Sequence, residues 1–168
     1  MPWGVAPGNH DYDKVSGRVS AATEFIKRFG PARFRHAAWY GGHSDNGLNA
    51  YQLISYQDSK LLILHLEAAP PDTALGWADA ALKKHPTLPA ILATHIWLDD
   101  GSEARGRSAY FRKGGNGAEM IWETFVKTHP QIFMVLSGHC AHGTGEYHQS
   151  STNAAGEKVH ELLANFQR

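Results

Sequence analysis

Four histidines and one asparagine stand where apolar runs give way to polar loops. Asn9 and His10 follow Trp3-Gly4-Val5-Ala6-Pro7-Gly8, and Asp11 comes next. His95 follows Pro89-Ala90-Ile91-Leu92-Ala93-Thr94, and His139 follows Ile132-Phe133-Met134-Val135-Leu136-Ser137-Gly138, with His142 three residues beyond. Ligands of open α/β sheets gather outside the carboxyl ends of the strands. Three strand ends that bring an amide and imidazoles to one edge therefore describe a convergent site. Neutral imidazole nitrogens and an amide oxygen suit Zn, Mn or Fe, with coordination positions left for water. The chain has 11 histidines, and most single histidines serve packing or the surface. Position, not number, singles these out.

The elements that must hold the site follow from local pattern. Trp3–Gly8 reads as a short strand ending in a Pro-Gly turn. Ala22, Phe25, Ile26 and Phe29 form one helical stripe, stopped by Gly30-Pro31. Tyr51–Tyr56 and Lys60–Glu67 read as strands paired through an Asp58-Ser59 turn. A helix follows with Asp72 as N-cap and Leu75, Ala78, Ala81 and Leu82 turned inward. Ala118, Ile121, Trp122 and Phe125 mark another helix, and the tail reads as two strands around a turn from Asn153 to Gly156. The fold class is α/β, one domain over 1–168, with central strands buried on both faces.

Composition narrows the partners. Lys+Arg and Asp+Glu each total 16, so the chain shows no overall basic footprint for nucleic acid. Arg105, Arg107, Arg112 and Lys113 form a local cluster that either steers an anionic substrate or is a solvated basic loop. No apolar run is long enough to span a membrane, and no signal peptide opens this chain; location is left open. The single cysteine, Cys140, excludes an internal disulfide.

Gly8-Asn9-His10-Asp11, Ala93-Thr94-His95 and Gly138-His139-Cys140-Ala141-His142 resemble, in order, the last three motif blocks of the calcineurin-like metallophosphoesterases. Trp39-Tyr40-Gly41-Gly42 and Met134–His139 also resemble bacterial members, whose full-length forms are often exported. The family's first two blocks, Asp-x-His and Gly-Asp, are absent, so the expectation is a truncated, C-terminal portion of that fold. The resemblance implies that Asn9, His95 and His139 serve one metal, that His142 served a second, and that His10 protonates the leaving group. One divalent ion (Zn, Mn or Fe) is expected rather than two. Ala141 is an insertion in the last block, so strand alternation no longer places His139 and His142 on one side.

The implied activity is that of a phosphatase or phosphodiesterase acting on a small phosphate ester through metal-bound hydroxide, weakened or altered by the truncation. Asp11 and Asp13 either replace the missing carboxylate or orient the loop and His10. His43 is a candidate substrate contact, while His65 reads as a satisfied strand histidine. A bare strand edge at Trp3–Gly8 would invite a homodimer. A non-catalytic dimeric binding module and a carboxylic-ester hydrolase are the alternatives. A serine esterase is disfavoured, since no Gly-x-Ser-x-Gly elbow is present.

Overall fold

The structure, a computed structural model, describes residues 1–15, 21–99, 105, 114–140 and 145–166. Its helices are α1 (Thr23–Phe29), α2 (Pro31–Phe34), α3 (Asp72–Lys83) and α4 (Ala118–Thr124). Its strands are β1 (Tyr40–His43), β2 (Ala50–Tyr56), β3 (Ser59–His65), β4 (Ala90–Ala93), β5 (Ile132–Ser137), β6 (Glu146–Thr152) and β7 (Lys158–Ala164). They form one mixed sheet in the order β1-β2-β3-β4-β5-β7-β6. Strands β3, β4, β5 and β7 run parallel, and β2 and β6 are antiparallel to their neighbours. β1 is antiparallel to β2 and so shares the direction of β3. Five carboxyl ends therefore point to one edge.

Alternation decides which face is packed. Leu62, Leu64, Ala90, Leu92, Ile132, Val135, Val159 and Leu163 join Leu75, Ala78, Ala81 and Leu82 of α3 and Ile121 and Trp122 of α4 in the main core. A smaller core, with Tyr12, Phe25, Ala68, Ala69 and Ile96, lies where α1 meets the 1–15 segment. The helical stripes are as the spacing predicts. The expectation of strands buried on both faces holds only in part. Ile91, Met134 and Leu162, on the other face, are half-buried, and Leu136 is exposed.

Three local expectations are corrected. No strand forms over Trp3–Gly8; this segment crosses the sheet instead, with the Gln52 amide donating to the Trp3 carbonyl at 2.6 Å. The two-residue hairpin loop is Gln57-Asp58, one position earlier than expected, because Ser59 already pairs with Tyr56. Asp72 is the first residue of α3 and Pro71 its cap; no side chain caps this end, and the Asp72 carboxylate accepts from Asn116 at 2.8 Å. Loss of the first strand also removes the edge on which a homodimer was expected; the sheet ends at β1 and β6.

Candidate metal and catalytic site

β4 and β5 are neighbours, and each is followed within two residues by a histidine. The His95 carbonyl accepts from the Gly138 amide at 3.1 Å, which ties the two strand exits together. His139 has φ +68, a left-handed conformation uncommon outside glycine, and its carbonyl accepts from the Asn165 amide at 2.9 Å. That hydrogen bond from beyond β7 holds the strained turn.

The three sequence-predicted ligands that are described meet. Asn9 Oδ1 lies 2.8 Å from His95 Nε2, and His139 Nδ1 lies 3.0 Å from the same nitrogen. The two rings stand edge to face with centroids 4.8 Å apart. Asn9 reaches this point from the 1–15 segment, 86 residues from His95 in sequence. Gly8 lets the backbone come this close. A Cβ there would sit 2.8 Å from His95 Cε1 and 3.0 Å from Nε2. Gly8→Ala is therefore expected to displace the His95 ring and cost about 1–3 kcal/mol. A urea titration, with the His95 ring signals followed by NMR, checks it.

Burial favours the neutral form of both imidazoles. Burial, with help from the His139 and His10 rings and against the Asp11 carboxylate, pushes His95 down to about 4. Burial and His10 lower His139, with Asp99 opposing. Neutral imidazoles have the free lone pair that a metal needs. Among the described residues, however, no three His, Cys, Asp or Glu side chains group closely enough to hold a metal ion. The set brought together is two imidazoles and one amide.

The remaining predicted residues divide. His10 is exposed beside the cluster, and its charge acts on both His95 and His139. Asp11 closes the Gly8–Asp11 turn, its carboxylate accepting from the Gly8 amide at 2.7 Å. Asp13 accepts from the Thr23 amide and hydroxyl, at 2.9 and 2.7 Å, at the start of α1. Both carboxylates orient loops. His43 is exposed at the end of β1, stacked on Tyr40; it shares the edge but stands three strands from β4, about 14 Å away. His142, Arg107, Arg112 and Lys113 lie outside the described residues. His65 is buried, and its Nε2 has no hydrogen-bond partner among the described residues, so the expectation of a satisfied histidine fails. Arg105 is neither a steering charge nor a solvated one: its side chain is 7% exposed and paired with the buried Glu161.

Two residues with a bearing on the site carry no motif. The Asp99 carboxylate hydrogen-bonds the Cys140 thiol, which burial first and Asp99 second push up to about 11. Glu67, 1% exposed, accepts from Asn46 and Asn49, both at 2.9 Å, and from the Tyr12 hydroxyl at 3.1 Å. Tyr12 follows Asp11, so Glu67 is the strut under the Gly8–Asp11 loop. A carboxylate two residues past the end of a buried strand was the only available signal.

Comparison with known proteins gives one relation that covers the chain. No family model matches the sequence, and no solved structure matches it. Over 173 aligned positions it is 33% identical to the uncharacterized protein YvnB of Bacillus subtilis (strain 168). The alignment takes in 99% of this chain and 12% of that protein, so the chain spans a small part of its relative's length.

Proposed function

We propose that the chain carries a phosphoesterase-type hydrolase centre that works with one divalent transition ion held by Asn9, His95 and His139. The observation that carries the reading is the convergence of their three donor atoms, spaced 2.8 and 3.0 Å. Neighbouring ligands of an ion with bonds of about 2.1 Å lie roughly 3 Å apart, so the residues fit such a group. The ion supplies Lewis acidity toward a phosphoryl oxygen and makes water acidic near neutral pH. The chain's own residues do the rest. His10 stands in solvent beside the cluster and is placed to give a proton to the departing alkoxide. Asp11, bonded to the Gly8 amide, fixes the turn that presents Asn9 and His10. Small phosphate esters are the substrate class, in keeping with the resemblance of the Gly8–Asp11, Ala93–His95 and Gly138–His142 stretches to calcineurin-like metallophosphoesterase motifs.

A second reading, a non-catalytic and dimeric binding module, draws on the lack of a third ionisable ligand among the described residues. One assay separates them. A phosphomonoester, a phosphodiester and a carboxylic ester with the same leaving group are offered with added Mn or Zn. The proposal expects turnover of a phosphate ester that needs the metal, is lost to chelator and falls in His10→Ala. Preference for the carboxylic ester would make this an ester hydrolase. No turnover, with a dimer by light scattering, would favour the binding module.

A further inference from the structure

Glu161 of β7, outside the site, is 0% exposed and accepts four hydrogen bonds among the described residues. Its Oε2 accepts from the Trp97 indole at 2.6 Å and from Arg105 Nε at 2.9 Å. Its Oε1 accepts from Arg105 Nη2 at 2.9 Å and from the Ser151 hydroxyl at 2.6 Å. The Arg105 guanidinium lies 4.0 Å above the Trp122 ring, and its Nη1 reaches Glu119 at 2.9 Å. Four of the five guanidinium N–H groups have an acceptor among the described residues, since Nη2 also donates to Ser151 at 2.7 Å.

Position in the chain gives this cage its meaning. Trp97 comes two residues after His95, and Arg105 six residues after Asp99. One buried carboxylate thus holds both Trp97, just beyond the exit of β4, and the Arg105 guanidinium. Without that carboxylate the Trp97 indole would lose its acceptor, and the exit of β4 its anchor.

We infer that Glu161 and Arg105 are positioning residues of the His95/His139 site: Arg105 orients the Glu161 carboxylate, which holds Trp97 and so sets where His95, two residues before it, stands. Neither touches the reacting groups. The inference rests on the proposed metal site, yet part of its test does not. Residues that orient ligands typically change metal affinity by about 10–100-fold when removed.

The test uses Arg105→Ala in the full chain, with guanidinium ion as chemical rescue. The substitution leaves a cavity lined by two tryptophan rings and a carboxylate, which suits a planar cation. Two readouts are taken: the ring signals of His95 and His139 by NMR without metal, and the affinity for Co2+ by absorption. Arg105→Ala should shift both ring signals, leave that of exposed His36 in place, and weaken Co2+ binding roughly tenfold or more. Millimolar guanidinium, but not equal sodium chloride, should reverse both changes. Trp97→Phe removes one donor to Glu161 and keeps a ring, so it gives a smaller shift of the same kind should Arg105→Ala fail to fold. Unchanged ring signals in a folded variant, or changes indifferent to guanidinium, would overturn the inference. A parent chain that binds no Co2+ would remove the metal proposal, and the ring signals would still decide this one.

Discussion

Glu67→Ala is expected to lower folding stability by about 4 kcal/mol and to loosen the Gly8–Asp11 loop. The wild-type carboxylate takes side-chain hydrogen bonds from Asn46, Asn49 and Tyr12, and each bond to a charged acceptor is worth about 1.5–3 kcal/mol. Their sum is an upper bound, because Glu67 lines a cavity of about 480 Å³ through which water can reach the deserted donors. Glu67→Gln separates charge from geometry. Its amide oxygen can still accept from the two asparagines, and its NH2 can donate to the tyrosine oxygen, so the cost should fall to about 1 kcal/mol. Urea titration gives both numbers. If the two variants lose equally, the negative charge itself is what holds the loop. If neither loses anything, Glu67 is no strut, and Tyr12 is held by other means.

Legibility followed locality. The helical stripes of α1, α3 and α4 could be read because i, i+3 and i+4 positions share a face whatever surrounds them. Asn9, His95 and His139 could be read because a polar ligand-type residue just past an apolar run lands at a sheet edge in any α/β arrangement. What failed depended on partners distant in sequence. Trp3–Gly8 has strand-like composition, but its carbonyl at Trp3 bonds a side chain of β2 instead of a neighbouring strand. Arg105 sits in a stretch whose composition says solvent, yet Glu161, 56 residues away, draws it into the core. Glu67, Asp99 and Glu161 acquire their roles from contacts that spacing along the chain cannot announce.

Below pH 6.5 the fold is expected to lose stability steeply, and about 3 kcal/mol of the loss should vanish in His65→Leu. Burial pushes His65 down to about 4 in the folded chain, against 6.5 unfolded. The sign follows from proton binding. Above pH 6.5 both states hold a neutral ring and nothing changes. Between 6.5 and 4 the unfolded chain takes up a proton that the folded chain refuses, so unfolding is favoured increasingly as pH falls; below about 4 both are charged and the effect levels off. A ring with these two values withdraws about 3 kcal/mol across that window. His95, also pushed to about 4, and His139 act in the same direction. At pH 7.5, His65→Leu should be close to neutral, since it replaces a buried nitrogen without a hydrogen-bond partner among the described residues by hydrocarbon. At pH 4.5 it should be the more stable of the two proteins. Urea titrations at both pH values, without metal, decide the matter. A parent and variant that weaken in parallel would mean that His65 takes up its proton in the fold, and that the space beside Gly4 and Gln52 admits water to it.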